Sequence, residues 1–149
     1  MWVTRRPCDP SKKNDTGFLW LTVCRKRHIL PLMTATLRPV RFMGDSRDVL
    51  REMPEEVQDE IGFALEHVQR GTKPKNAKPL KGIAPGVLEI VSDFRGDTFR
   101  AVYTVRFASA VYVLHVFQKK SKRGIATPKC EIDLIKQRLA QAVKWEAEG

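Results

Sequence analysis

The sequence predicts an α+β fold, in which an antiparallel sheet is packed by an N-terminal helical hairpin and a C-terminal helix. Three observations lead to this class: a helical stripe of apolar residues over 45–71, three strand-like segments between 87 and 118, and a second helical stripe after residue 127. Short turn sequences separate the three strands, so neighbouring strands should run in opposite directions. At 149 residues, the chain is long enough to bury a core of its own.

A proline divides the first helical pattern into two helices. Apolar residues recur there every three or four positions, at Leu50, Met53, Val57, Ile61, Leu65 and Val68. Pro54 lacks the backbone N–H that a helix interior needs, so it should open the second helix. Glutamates follow in the first turn, where the helix dipole favours them, and Gly71 supplies the end. The pattern therefore predicts a helical hairpin with an acidic outer face.

The sheet and the last helix are predicted from the second half of the chain. Gly, Pro and Asn indicate a loop over residues 71–86. Strands are expected at Val87–Asp93, Thr98–Val105 and Ala110–Gln118, with an earlier strand around Leu37–Met43. Thr127 should cap the last helix, with Pro128 in its first turn. The apolar stripe of that helix consists of Ile132, Ile135, Leu139 and Val143.

Residues 1–36 mix prolines and charges without sustained periodicity, so we predict an N-terminal extension followed by one domain over 37–149. The segment from Met33 reads like a second protein start, which would make residues 1–32 dispensable; an extra strand at Phe18–Val23 is the alternative. No apolar run is long enough to cross a membrane, and the three cysteines lack metal-site or disulfide-framework spacing. We therefore expect a cytoplasmic protein without a metal or cofactor.

Charge is unevenly distributed along the chain. The net charge of +10 favours nucleic acid or an acidic partner. Residues 44–70 hold three cations and eight acids, whereas residues 71–123 hold eleven cations and three acids. An acidic helical region thus lies beside a basic middle, and a polyanion should bind the strands rather than the hairpin.

Cations near the strand ends form the candidate binding surface. The stretch "YVLHVFQKKSKRG" runs from an apolar strand directly into four cations. Arg100 is the strongest candidate, because an arginine in the middle of an apolar strand needs a partner or a ligand. Such a cluster could hold phosphate and stabilise charge on a pentavalent phosphorus. Its further members are Lys81, Arg95, Lys119, Lys120, Lys122 and Arg123.

These residues also have simpler interpretations. Charges at a strand end keep a sheet edge solvated and prevent pairing with another chain. His115 lies among apolar neighbours, where a histidine is more often part of the core than catalytic. Strict alternation along this strand would place Val111, Val113, His115, Phe117 and Lys119 on one face.

Four segments carry a resemblance to a known family: "MPEEVQDEIGFALEHVQRG", "KPLKGIAPGVLEI", "FRGDTFRAVYTV" and "YVLHVFQKKSKRGIATPKCEIDLIKQRL". From about Val40 to Ala142 the chain resembles the RelE/HigB-type toxins of bacterial type II toxin–antitoxin modules, in their phage-derived branch. The last segment is the most specific, since a strand ends there in phenylalanine and paired lysines before Thr-Pro and a helix.

The resemblance implies a compact microbial RNase fold and a ribosome-dependent endoribonuclease that cleaves translated mRNA. It also implies inhibition by a cognate antitoxin, usually of the helix-turn-helix type. In that family, the ribose 2′-OH attacks the adjacent phosphate. By motif, Arg100 matches the family's strand arginine and Lys120 matches the cation after the last strand, with Arg95 and Lys119 as neighbours.

Two departures from the family pattern affect the site. Glu89 and Asp93 stand where some members carry lysines, and their charge has the wrong sign to hold phosphate. The aromatic base of those members has no counterpart after Lys120, so His115 is the candidate replacement, since a neutral imidazole can accept a proton. The alternatives are a ParE-like toxin that binds gyrase without cutting RNA, and an inactive nucleic-acid-binding relative.

Overall fold

The computed structural model describes residues 37–119 and 127–148, and the predicted α+β class is confirmed. The elements are β1 (Val40–Phe42), α1 (Ser46–Arg51), α2 (Glu55–Gln69), β2 (Ala77–Pro79), β3 (Val87–Phe94), β4 (Asp97–Thr104), β5 (Val111–Lys119) and α3 (Lys129–Glu148). Within the described ranges, no helix combines the length and apolar composition that a bilayer crossing requires. Residues 1–36, with the alternative strand at Phe18–Val23, lie outside these ranges, so the division into extension and domain stays a prediction.

The sheet has the strand order β1-β5-β4-β3-β2. Strands β3, β4 and β5 are antiparallel as predicted, whereas β1 runs parallel to β5, so the whole sheet is mixed. Parallel pairing is possible because the long connection between these strands contains α1, α2 and the other strands. Strand β2 lies inside the predicted loop; its Pro79 is tolerated because β2 is an edge strand.

The helical hairpin packs on one face of the sheet, and we call this the hairpin face. Every member of the predicted apolar stripe of α1 and α2 is buried there. Pro54 precedes the first residue of α2, as expected. At the other end, Gly71 has a φ of +80°, and the backbone N–H of Thr72 donates to the carbonyl oxygen of His67 at 2.9 Å. This left-handed residue and its hydrogen bond end the helix where the sequence predicted.

Helix α3 packs on the opposite face, which we call the α3 face. Ile135, Leu139 and Ala142 join residues of β4 and β5 in a second apolar cluster. The prediction that Thr127 caps α3 is wrong: the helix begins at Lys129, and the carbonyl of Pro128, the residue before it, accepts the first backbone hydrogen bonds. The predicted stripe is wrong at its end, because Val143 is 42% exposed. Ala142 takes the buried position instead.

A β-bulge breaks the alternation that the sequence predicted for β5. Val102 of β4 lies opposite His115, but the next residue, Tyr103, lies opposite Val113. Leu114 is therefore an extra residue, and an extra residue changes which side chains share a face. Val113 packs on the hairpin face, whereas His115 contacts α3, so the prediction that they share a face is wrong.

Candidate functional site

Arg100 and Glu89 form an ion pair on the α3 face. Nη1 of Arg100 donates to Oε2 of Glu89 at 2.7 Å, and the two side chains are only 12% and 11% exposed. The same Nη1 lies 3.5 Å from the Thr127 hydroxyl, just before α3. Within the described part of the chain, Nε of Arg100 is buried without a hydrogen-bond partner. The partner that a mid-strand arginine requires is thus a carboxylate of the neighbouring strand.

Sequence reasoning missed Glu89 as a member of the site. Arg100 lies opposite Val91, and Glu89 lies two residues further along the same strand and on the same face. Such diagonal neighbours are within reach of long side chains. The signal was present in the sequence, since the turn at Arg95–Gly96 fixes the register of the hairpin.

A second polar group on the α3 face joins β5, the β1–α1 turn and α3. Nε2 of His115 lies 2.5 Å from Oε2 of Glu131, and Nδ1 lies 3.1 Å from Nη1 of Arg138. Arg138 also donates to the Leu114 carbonyl at 3.0 Å and to Oδ1 of Asp45 at 2.5 Å. We call this group the α3 clamp, consisting of Asp45, His115, Glu131 and Arg138.

The clamp fixes the tautomer of His115. An arginine N–H can only donate, so Nδ1 of His115 accepts from Arg138 and the ring proton is on Nε2, which donates to Glu131. Both ring nitrogens are therefore engaged, and the side chain is 8% exposed. To act as the predicted general base, His115 would first have to break one of these bonds. The geometry favours a residue that positions α3 on the sheet.

Gly44 permits the close approach of Arg138 to the β1–α1 turn. Its φ is +57°, and a Cβ at this position would lie 2.7 Å from Nη2 of Arg138. Any side chain here would have to displace the guanidinium that bonds to Asp45. The contact between Arg138 and Asp45 therefore depends on the absence of a side chain at Gly44.

Two predicted cations lie beyond Arg100 at one end of the sheet. Lys119 ends β5 opposite Thr98 and is the next residue on the same face after Phe117, which lies opposite Arg100. Arg95 lies in the β3–β4 turn, with its guanidinium 5.0 Å from the centre of the Phe94 ring. Both residues belong to the end of the sheet where β5 leaves it. Lys120, Lys122 and Arg123 lie outside the described residues.

Lys81 does not join this group. It follows Leu80, whose N–H donates to the Val87 carbonyl at the start of β3, whereas Arg95 follows the end of that strand. Eight residues of strand separate its ends by about 23 Å. Lys81 therefore lies at the opposite end of β3 from Arg95, and its role in binding RNA stays a prediction. Alternation along a strand indicates the face of a side chain but not the end of the sheet at which a loop residue lies.

Neither of the two tyrosines contacts the Arg100–Glu89 pair, so neither takes the place of the family's aromatic base. Tyr103 is buried on the hairpin face, and burial raises its pKa to about 12. Tyr112 lies on the α3 face but donates to Glu146 near the end of α3, at 2.5 Å. Burial, followed by this hydrogen bond, raises the pKa of Tyr112, while bonds from Ser109 and Tyr112 lower the pKa of Glu146.

The match to known families covers the helices and strands described above. Residues 48–140 match the family described as Phage derived protein Gp49-like (DUF891). The chain belongs to this family. Gp49-like proteins are typical of the toxins of toxin–antitoxin modules, so the phage-derived, toxin-type part of the expected resemblance is confirmed. Comparison with curated proteins and with solved structures gave no match.

The matched residues of the Gp49-like chain include most of the candidate site. Arg100 and Glu89 lie within the match, as do three members of the α3 clamp, while Asp45 precedes it. In the described ranges, no three His, Cys, Asp or Glu side chains form a group that could hold a metal ion. The arrangement offers a guanidinium to hold an anion and, in contact with it, a carboxylate able to accept a proton.

Proposed function

We propose that this chain is a toxin of the RelE/HigB type, a ribosome-dependent endoribonuclease that cleaves translated mRNA in the cytoplasm. The observation that carries the proposal is the position of Arg100: a mid-strand arginine bonded to a carboxylate, one strand from Lys119. Family membership supports a toxin, and the motifs of the last strand and helix support action on RNA. Growth arrest follows from the loss of intact mRNA.

In the proposed reaction, the ribose 2′-oxygen bonds to the adjacent phosphorus while the bond from phosphorus to the 5′-oxygen breaks. The products are a 2′,3′-cyclic phosphate and a free 5′-hydroxyl, since the leaving 5′-oxygen takes a proton from water. Arg100 stabilises the charge that develops on the phosphoryl oxygens. The backbone phosphates on either side are held by Arg95, by Lys119 at the end of β5, and by the cations that follow it in sequence, Lys120, Lys122 and Arg123.

The proton of the 2′-OH needs an acceptor, and we assign this role to Glu89. Its carboxylate is in contact with Arg100, so a phosphate bound to that arginine brings a neighbouring 2′-OH close to it. His115 is less suited, because both of its ring nitrogens are engaged in the α3 clamp. It contributes by holding α3, and with it Thr127, beside Arg100.

A second candidate function is favoured by the same ion pair. Glu89 bonds to Arg100 and both side chains are mostly buried, so a phosphate must compete with a carboxylate that is already in place. If that competition fails, the chain is a toxin that acts by protein binding, as ParE-type relatives do on gyrase, or an inactive nucleic-acid-binding relative.

Primer extension on a reporter mRNA in a reconstituted translation system tests the proposal. Wild-type protein should create new 5′ ends only when ribosomes are present, and Arg100→Ala should lower their rate of formation about 100-fold or more. Arg106→Ala is the matched control. This exposed arginine follows the end of β4 at Thr104, whereas Lys119 pairs near the start of that strand. Its cleavage rate should stay within about twofold of wild type, the change expected of a rim charge.

Two results would contradict the endoribonuclease. Folded Arg100→Ala that cuts as fast as wild type would remove Arg100 from the site. Wild-type protein that leaves actively translated mRNA uncut would select the second candidate, and gyrase-dependent DNA breaks would then identify the ParE-like function. Circular dichroism of each variant shows that lost cleavage is not lost fold.

A further inference from the structure

The outward face of α2 carries an exposed aromatic side chain. Phe63 is 58% exposed, whereas its neighbours Ile61, Ala64 and Leu65 are buried against the sheet. Its ring contacts the His67 ring edge-on, with 4.6 Å between the ring centres. Nothing in the hydrophobic core requires an aromatic residue at this position, because the buried stripe of α2 is complete without it.

Acidic side chains surround Phe63 on this face. Helical spacing places Asp59 and Glu60 one turn before it and Glu66 one turn after it, with Glu56 a further turn away. Glu60 is engaged by Ser92 and Asn76, and Glu66 by Arg70. We call Glu56, Asp59, Phe63 and Glu66 the α2 acidic face. Residues 44–70 as a whole hold three cations and eight acids, a net charge of −5.

This composition suits a protein partner rather than RNA. Carboxylates repel a phosphate backbone, so electrostatic repulsion disfavours mRNA binding on this face. A large aromatic side chain within a charged rim is the usual composition of an interface hot spot, in which a partner's pocket takes the ring. The surrounding charges select a basic partner and accelerate its association.

We propose that the α2 acidic face is the docking site of the cognate antitoxin. The antitoxin surface that fits it has an apolar pocket for Phe63 and a rim of lysine or arginine. This inference rests on the proposed function, because a toxin of a toxin–antitoxin module has an antitoxin partner. It places the antitoxin on the hairpin side of the sheet, whereas Arg100 and Glu89 lie on the α3 face.

The test uses the full chain and the purified antitoxin of the same module. Phe63→Asp should raise the dissociation constant of the pair roughly 30-fold or more, as expected for a central aromatic anchor. Reversal of charge at Glu56 and Asp59 to lysine should slow association and weaken its salt dependence. Val143→Asp is the matched control, because Val143 is also a large apolar side chain exposed on a helix, and it should leave binding unchanged.

A growth assay with both genes provides the second readout. Phe63→Asp should arrest growth as wild type does, since Phe63 is far from the proposed reaction, but co-expressed antitoxin should no longer restore growth. Restored growth with an unchanged dissociation constant would overturn the docking site. An equal loss of binding in Val143→Asp would also overturn it, because the effect would then be general.

Other occupants of the face give distinct results. If Phe63→Asp abolishes self-association of the free chain in sedimentation and leaves antitoxin binding intact, the face joins two copies of this chain. If it weakens binding of single-stranded RNA instead, the face belongs to RNA. Either result overturns the antitoxin assignment. Wild-type protein that neither arrests growth nor binds the antitoxin would overturn the proposed function itself, and this outcome is seen before any variant is made.

Discussion

The two faces of the sheet differ in the chemistry of their buried side chains. On the hairpin face, apolar side chains and Tyr103 contact α1 and α2, and the buried polar side chains there, Ser46 and Ser92, carry no charge. On the α3 face, an apolar cluster is interrupted by buried polar groups: Glu89, His115, Thr127 and Arg138 are each less than 9% exposed. The chain therefore concentrates its buried charge on one side of a single sheet.

Under the proposed function, this difference separates the face that supplies stability from the face that carries the candidate site. Apolar burial stabilises in proportion to area, with no demand on geometry beyond close packing. A buried charge costs free energy unless its partners are in place, so Glu89 with Arg100, and Arg138 with Asp45, contribute little net stability. Arg138 and Asp45 hold α3 on the sheet, whereas the burial of Arg100 with Glu89 is what the proposed reaction would require of its site.

The largest expected effect is on cleavage and comes from the α3 face. Glu89→Gln keeps the shape of the side chain and an oxygen that can accept from Arg100, but it removes the proton acceptor. We expect kcat to fall by about 10²- to 10⁴-fold. The unfolding free energy should also fall by about 3 kcal/mol, because Arg100 is left buried without a charged partner. Single-turnover cleavage on programmed ribosomes and urea denaturation measure the two quantities.

Asp93→Asn is the control for Glu89→Gln. Asp93 is an exposed carboxylate on the same strand and accepts from the Thr98 hydroxyl at 2.6 Å, so its removal should leave kcat within about twofold of wild type. If Glu89→Gln cuts faster than wild type, Glu89 restrains Arg100 rather than accepting the proton.

The next effect is on stability and comes from the hairpin face. Leu65 is fully buried against the sheet, so Leu65→Ala should lower the unfolding free energy by about 3 kcal/mol. Below the denaturation midpoint, kcat should remain close to wild type, because the Arg100–Glu89 pair lies across the sheet. Leu37→Ala, at a large apolar side chain that is 45% exposed, should cost less than about 0.5 kcal/mol. If Leu65→Ala lowered kcat as much as Glu89→Gln does, the two faces of the sheet would not be independent.

The hairpin face was predictable from the sequence almost residue by residue. Its stripe, the break at Pro54 and the end at Gly71 depend on local spacing and local backbone chemistry, which the sequence displays directly. The parallel position of β1 was not predictable in this way, because pairing between distant segments is decided by packing.

The α3 face was predictable only in part. Arg100 was recognised because a charged residue in an apolar strand is unusual, but its partner depends on the register of two strands. The surroundings of His115 depend on a bulge, and no local signal in the sequence marks the extra residue Leu114. Glu131 and Arg138 complete the clamp from a helix that follows in sequence, so their contact with His115 appears only in the folded chain.

The smallest expected effect is on the ionisation of the two tyrosines, one of which lies on each face of the sheet. Tyr103 on the hairpin face has its pKa raised to about 12 by burial, from an ordinary value of 10.0. The pKa of Tyr112, on the α3 face, is raised by burial and also by the hydrogen bond of its hydroxyl to Glu146. Ultraviolet titration of the phenolate should therefore show both tyrosines ionising above pH 10 in the folded protein, and Tyr103→Phe should remove the component near pH 12.

The sign of the stability change follows from proton counting. Between pH 10 and about 12, Tyr103 keeps its proton when folded and loses it when unfolded, so stability falls as pH rises through this window. Glu146→Gln should move the pKa of Tyr112 towards its ordinary value and leave that of Tyr103 unchanged, because only Tyr112 bonds to this carboxylate. Equal shifts of both tyrosines would mean that α3 loosens as a whole, and that the carboxylate bond is not what sets Tyr112 apart.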